Sequence, residues 1–589
     1  MTRFLAGVGC LAAILAGATA AHAQDPVRAG SADAKFKSIY TTEWAWRQAQ
    51  RGESDEDESE VSAHLPKIDL ATQEARLAYW TKVMQQLDAI REAELSAPEQ
   101  VNYEVYKAQI QVNINGQRYK DYEKPLTADT AFWSNIVGPA RRPFKSAQQY
   151  RDFISQMSEV PRYFHDEEDN MRAGLKRGFT PPKVTLQGRD SSIRSIAEAK
   201  SPEDTIFFRP FAKFPDNIPA AEQAQLKAQA VEAIRSQVIP AYKTLLSFFD
   251  DEYVPHAQAA LGAYSLPDGK AYYQAKILEF TTTDMTPERI HQLGLDEMAK
   301  IHAEMLETMK ASGFKGTFPE FLHFLRTDPQ FYAKTPDELL KDAAWIAKEF
   351  DGVAAKYFGY LPRARFGIIP VPADIAPYYT SGRGGPGVYL VNTYDLPSRP
   401  LYSLPALTLH ESAPGHAFQM PIALEHKDLP KFRTVYISAY GEGWALYCER
   451  LGSEMGIYHT PYDTFGMLSY QAWRAARLVV DTGIHSQGWT RKQAQDYLRE
   501  NTALSDHEIE TEVDRYIAWP GQALSYYLGE MAIERSRHKA EAALGAKFNV
   551  RAFHDSVLEL GSVPLPVLEH HIDAFIAHGG TGPYPAMEK

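Results

Sequence analysis

The residues best suited to chemistry lie in one short run, His410-Glu411-Ser412-Ala413-Pro414-Gly415-His416. Its start reads like the HExxH zinc pattern, in which two histidines four apart share a helix face and the glutamate serves as general base. Here the second histidine comes six residues after the first, and Pro414 fills the i+4 position. Six residues rotate about 600° around an unbroken helix, which would aim His416 away from His410. The two imidazoles converge only if the backbone breaks at Pro414-Gly415, and proline and glycine are the residues that allow such a break. The competing reading is a capped pair of core histidines.

A third ligand candidate follows in Gly441-Glu442-Gly443-Trp444-Ala445-Leu446-Tyr447-Cys448-Glu449. Glu442 and Glu449 are two turns apart on one helix face. A catalytic zinc keeps three protein ligands and one open position, so the expected metal set is His410, His416 and Glu442. Glu449 is either an acceptor that orients a ligand histidine or a surface acid. In this arrangement zinc activates water, and Glu411 takes its proton and passes it to the leaving amine.

Three segments, His410 to Gln419, Glu442 to Glu449 and Pro520 to Gly529, together resemble the domain of unknown function 885 family. That bacterial family is similar to helical gluzincin metallopeptidases of the thimet-oligopeptidase and carboxypeptidase-Taq types. Those enzymes place a ligand glutamate about 25 residues after HExxH and another glutamate seven residues later. Glu442 lies 26 residues after His416, and Glu449 completes the spacing. The two-residue expansion of the histidine pair departs from their pattern. The resemblance implies a zinc peptidase. It also implies that Tyr526, rather than Tyr527, is the donor an oxyanion needs besides the metal; a buried core tyrosine is the alternative.

Other residues could hold substrate. Arg474, Arg477, Asp481 and His485 fall on one helical stretch, and Arg515 precedes Tyr516. Arg477 or Arg515 could grip a substrate carboxylate bidentately, with structural ion pairing as the alternative. His485 is either a second polarising donor in catalysis or a satisfied core histidine. The segment Gly387 to Asn392 resembles the edge strand on which gluzincins lay an extended peptide. Tyr379 beside it is a recognition candidate, as is Tyr378, with packing as the alternative for both. Cys448 reads as a small buried hydrophobe.

The elements that must position these groups are mostly helical. Leu77, Trp80, Val83 and Leu87 recur at threes and fours, as do Leu226, Ala230, Ile234 and Val238. Thr286-Pro287 opens a helix with Ile290, Leu293, Met298, Ile301, Met305 and Met309 on one face. Thr335-Pro336-Asp337-Glu338 is a capping box that opens a helix through about Tyr357. Residues 366 to 392 break the pattern with β-branched runs at Ile368 to Val371 and Val388 to Val391, around the glycine-rich segment Ser381 to Gly387. No P-loop context surrounds that segment. The expected fold is mainly α: a large helical two-lobed body with a deep active-site cleft and a small β-hairpin or sheet beside the metal site. Residues 63–360 would form a wall or lid lobe and 361–589 the catalytic lobe.

The chain has 589 residues, 44% of them hydrophobic and 23% charged, an ordinary globular balance. Its formal net charge of −13 argues against nucleic acid and anionic membranes as partners. Arg3, the apolar run Phe4 to Ala16 and Ala21-His22-Ala23 read as a signal peptide cleaved after Ala23, giving a periplasmic or secreted protein. A lipid anchor through Cys10 fits less well, because the apolar stretch mostly follows that cysteine. Residues 24–62 read as a flexible leader holding the acidic run Glu53 to Glu60. With Cys10 removed, Cys448 has no partner, and stability must come from a large core. The function expected is an exported zinc metallopeptidase for short peptides, carboxypeptidase-like or oligopeptidase-like. The alternatives are a zinc amidase on non-peptide N-acyl amides and a non-catalytic binding protein on a metallopeptidase scaffold.

Overall fold

A computed structural model of the chain describes residues 31–51, 61–127, 130–373 and 375–585. The expected signal peptide and the acidic run Glu53 to Glu60 lie outside them; of the stretch 24–62 expected as a flexible leader, Ala32–Arg51 is instead a helix, because Phe36 and Tyr40 are buried in the larger core. The fold is mainly α, with a small three-stranded sheet. The elements that concern the site are α1 (Pro287–Ala311), β1 (Gly367–Pro370), β2 (Gly382–Gly385), β3 (Val388–Val391), α2 (Leu404–Glu411), α3 (His416–Glu425), α4 (Ser438–Met455), α5 (Pro461–Gln487), α6 (Asp506–Ala518) and α7 (Ser525–Leu544).

The helix boundaries follow from local chemistry. The Thr286 hydroxyl accepts from Arg289 N, and Pro287 sits in the first turn of α1 where its missing N–H costs nothing. Thr335 caps the helix Pro336–Tyr357, but Glu338 reaches one residue further back than a capping box does and accepts from Lys334 N at 2.6 Å. A full box does open α5, where Thr460 and Asp463 cap each other's backbone. Nearly every side chain of α5 from Phe465 to His485 is buried, so this helix is the axis of the molecule. The Met and Ile stripe of α1 packs along it.

Two buried clusters organise the helices. The larger joins residues 36–114 to residues 263–575. The second is built mostly from residues 126–257, with Val61, Leu65 and Ile68 added. The expected lobe boundary near residue 360 is therefore not a packing boundary. Residues 263–358 share one core with the motif helices because α1 packs on α5.

The sheet has the order β1-β3-β2, with β1 parallel and β2 antiparallel to β3. Gly387, at φ +81°, makes the turn of the β2–β3 hairpin, a conformation that glycine enters without a Cβ clash. The segment Gly387 to Asn392 is thus not the edge expected from the sequence. β3 is the centre of the sheet, with both edges paired, and β1 and the glycine-rich β2 are its outer strands. Among the described residues no helix is long and apolar enough to cross a membrane.

Candidate metal centre

The six-residue histidine spacing is resolved by ending one helix and starting another. α2 stops at Glu411, residues 412–415 turn, and α3 begins at His416. The turn is held on both sides: Gly415 N donates to Leu409 O at 3.0 Å, and Trp444 Nε1 of α4 donates to Pro414 O at 2.8 Å. A Cβ on Gly415 would lie 1.9 Å from His410 O, so only glycine permits this close approach.

The break brings the imidazoles together, ring centres 4.9 Å apart and nearly perpendicular. One oxygen of Glu442, from α4, lies 3.5 Å from His410 Nε2 and 3.3 Å from His416 Nε2. Zinc bonds of about 2.0–2.2 Å in a tetrahedron put neighbouring ligand atoms roughly 3.3–3.6 Å apart. The three groups therefore fit a metal ion. His410, Glu411 and His416 also bring one ligand atom each within 4.8 Å of one another. Glu442 is the better third ligand, since a single oxygen touches both imidazoles, whereas Glu411 Oε2 accepts from Gly384 N at 2.6 Å.

Around this set the partners are built in. His410 Nδ1 bonds Glu449 Oε1 at 2.7 Å, which fixes the ring with Nε2 toward Glu442. Glu449 is fully buried, so its alternative reading as a surface acid falls away. Arg474 Nη2 stands 3.4 Å from the same Glu449 oxygen, its guanidinium over the Trp473 ring at 4.1 Å. Burial works against charge on His410, but the carboxylates of Glu442 and Glu449 outweigh it and raise the imidazole to about 10. Burial likewise pushes Glu442 up, and the two histidines more than offset it and hold it well below the usual carboxylate range. Both shifts follow from pairing imidazoles with carboxylates in a buried place.

Tyr526 lines the same cavity, its ring 6.3 Å from that of His410, with the Arg477 guanidinium 4.3 Å over its face. Arg515 Nη2 donates to Tyr526 Oη at 3.3 Å, which leaves the phenolic proton for another acceptor. Tyr527 points elsewhere, to Glu297 Oε2 at 3.3 Å. Arg477 and Arg515 share one carboxylate, Glu512, at 2.9 and 3.4 Å. Arg477 is 1% exposed, and its buried Nη1 has no hydrogen-bond partner among the described residues. Tyr379 lines the cavity as well.

His485 does not join the site. Its Nδ1 accepts from Ala263 N at 3.0 Å and its Nε2 donates to Tyr516 O at 2.9 Å. Burial pushes it down to about 3, so it is the satisfied core histidine of the two readings. Asp481, from the same stretch, accepts from Tyr273 Oη and Gly521 N and fixes the turn before α7. Gly387 does not line the cavity; Ser381 and the β2 residues Gly382, Arg383 and Gly384 do, beside Glu411. Cys448 is fully buried, and burial raises its thiol well above the ordinary value, which suits packing rather than attack.

Sequence reasoning missed two contributors. Tyr436, just before α4, is 39% exposed as a residue, with its ring 6.4 Å from that of His416; desolvation of its hydroxyl and the nearby Glu442 raise that group well above the ordinary value. Gly384 fixes the base, and a Cβ there would fall 1.6 Å from Glu411 O. The signal for Gly384 was present in the glycine run; none marked Tyr436.

Metal set, tyrosine and arginines all open on one cavity of about 2200 Å³, lined by residues of both chain segments that build the two cores.

With this geometry in hand, comparisons place the chain. It belongs to the family described as bacterial protein of unknown function (DUF885), whose model matches residues 47–572. Among solved structures it is similar to a candidate lipoprotein from Colwellia psychrerythraea, with TM-score 0.85 and 26% identity over 93% of this chain and 100% of that one. A candidate lipoprotein of unknown function from Shewanella oneidensis shares the fold, with TM-score 0.66 and 17% identity over 92% of this chain and 99% of that one. The M32 carboxypeptidase from Deinococcus radiodurans R1 gives a TM-score of 0.32 and 12% identity over 86% of this chain and 99% of that one, too weak a likeness to carry fold or reaction. No curated protein matches significantly.

Proposed function

For this member of a family without an assigned reaction, we propose a zinc-dependent peptidase that hydrolyses short peptides. The observation that carries the reading is the convergence of His410 Nε2, His416 Nε2 and one Glu442 oxygen within 3.5 Å, beside Glu411. Zinc is the metal of choice for two imidazoles and a carboxylate, and when bound it would acidify a water and polarise a carbonyl.

The chain's own groups divide the rest of the work. Glu411, held by Gly384 N–H, accepts the proton of the attacking water and delivers it to the departing amine. Tyr526 donates its O–H to the oxygen on which negative charge develops. The free edge of β2 offers backbone groups to an extended peptide. Arg477 and Arg515 line the cavity together, and the buried Nη1 of Arg477 offers a donor to a terminal carboxylate, which favours a carboxypeptidase over an internal cutter.

The protein acts outside the cytoplasm in this reading. The N-terminal apolar run with Ala21-His22-Ala23 supports export, as does similarity to candidate lipoproteins. N-terminal sequencing of the mature protein, expected to begin at Gln24, checks this.

The decisive experiment pairs metal analysis with peptide cleavage. One zinc per chain and chelator-sensitive cleavage are expected. Glu411→Gln should keep the metal and lose about 10²–10⁴ in kcat, while His416→Ala should lose the metal. Full activity in Glu411→Gln sinks the mechanism, and unchanged metal in His416→Ala sinks the ligand set.

A further inference from the structure

Glu442 differs from its neighbours in how it is held. Glu449 fixes His410, and the Gly384 N–H fixes Glu411. Glu442 meets both histidines through one oxygen, Oε2, at 3.5 and 3.3 Å. A carboxylate has two oxygens and can bind a metal with one or with both. Catalytic zinc keeps one position open for water. A second Glu442 oxygen on the metal would occupy the place where the chemistry starts, so a donor must hold that oxygen away.

Tyr436 stands where such a donor is needed. It lies just before α4 and lines the cavity, its ring 6.4 Å from that of His416. Glu442 is the first charged group that acts on its hydroxyl, by charge and as a hydrogen-bond acceptor; Tyr526 and Glu411 follow. The phenol is seated on Gly441, the residue before Glu442. A Cβ there would fall 2.2 Å from Tyr436 Cε2 and 2.5 Å from Tyr436 Oη, so a side chain at 441 would push the hydroxyl off its seat. The backbone beside it is pinned, with Ile437 N donating to Ser562 Oγ at 2.7 Å. The other two acceptors are already engaged: Glu411 Oε2 accepts from Gly384 N, and Tyr526 Oη from Arg515 Nη2.

We infer that Tyr436 is a positioning residue: it donates its O–H to the Glu442 oxygen turned away from the histidines, keeps Glu442 a one-oxygen ligand and so keeps the water position open. It acts through Glu442 and does not touch the reacting atoms. Partners of metal ligands orient them in this way. The inference rests on the metal site of the peptidase reading and adds to it the group that sets its coordination number.

The test loads the full-length protein with cobalt(II) in place of zinc. Cobalt absorbs visible light strongly in four-coordinate sites and weakly in five- and six-coordinate ones. Tyr436→Phe keeps the ring on Gly441 and removes only the O–H. Its cobalt band should weaken severalfold, and in the zinc form kcat should fall about tenfold with KM little changed, the low end for such partners. Gly441→Ala leaves the hydroxyl in the chain but displaces it, and should weaken the same band. An unchanged cobalt spectrum in Tyr436→Phe overturns the inference; if kcat falls there all the same, Tyr436 donates to substrate and not to Glu442. A band weakened in the variant, with peptide cleavage by neither protein, upholds the inference and overturns the peptidase reading. A parent protein that takes up no cobalt overturns the ligand set and the inference with it.

Discussion

The two walls of the cleft handle charge in different ways. On the wall from the larger core, His410, Arg474 and Arg477 are 2%, 3% and 1% exposed, and each is met by a carboxylate, Glu449 or Glu512. On the wall from the second core, Arg141 and Arg209 are exposed and stand among serines. A buried charge without partners loses far more in desolvation than one contact returns, so its partners must be in place before substrate arrives. An exposed charge bears no such cost and can exchange water for ligand. The first wall is therefore suited to chemistry, where fixed geometry matters. The second keeps its arginines hydrated, so charge there is modest in effect and sensitive to salt.

That contrast fails if substitutions on the buried wall have effects as small as those on the exposed one. The largest expected effect in this set is Tyr526→Phe. It removes only the O–H proposed to meet developing charge, and the ring can stay beneath Arg477. Loss of one such donor should lower kcat about 10²–10³-fold with little change in KM. A steady-state comparison that finds KM raised and kcat intact would move Tyr526 from catalysis to substrate binding.

Next in size is Glu449→Gln. The amide can still accept from His410 Nδ1, but it gives up the charge shared with Arg474 at 3.4 Å. Partners of this kind typically alter metal affinity about 10–100-fold. Competition against a chelator of known affinity measures it. Affinity within twofold of the parent would mean that His410 needs no orienting carboxylate, and the buried wall would be less prebuilt than its geometry indicates.

How much of this wall could be read in the chain depended on whether a residue's role followed from spacing. His410, Glu411 and Glu442 could, because a helix turns spacing into direction. His416 was legible only through its neighbours: Pro414 and Gly415 require a break, but where the chain goes after it is decided by Trp444, thirty residues on. The strand β2 was hidden because a glycine-rich run has low strand propensity, and its pairing to β3 is a tertiary event. For the same reason β3 was taken for the edge that β2 supplies. His485 shares a helix with Arg474 and Arg477, but sequence alone does not show that Ala263 and Tyr516 engage both its nitrogens. The division of cores was missed because residues 263–358 look like any other amphipathic helices until α1 is seen on α5.

His485 supplies the smallest expected effect, one confined to acid. Its imidazole lies in the same buried body as the metal site, held neutral by burial at about 3 against an ordinary 6.5. Below pH 6.5 the unfolded chain binds a proton there and the folded chain does not. The stability this group contributes is thus complete above 6.5 and is lost as pH falls toward 3. The slope reaches at most about 1.4 kcal/mol per pH unit for one proton. His554, also pushed down to about 3 by burial, adds a second slope of the same sign. In His485→Gln the amide oxygen can accept from Ala263 N and the amide nitrogen can donate to Tyr516 O, so both bonds are kept while the titration is removed. Urea unfolding at pH 5.0 and pH 7.5 should show a smaller loss on acidification in the variant than in the parent, even where its stability at pH 7.5 is lower. An unchanged loss would mean that His485 does not stay neutral in the folded protein, and that the core behind the buried wall admits a proton where its geometry leaves no acceptor for one.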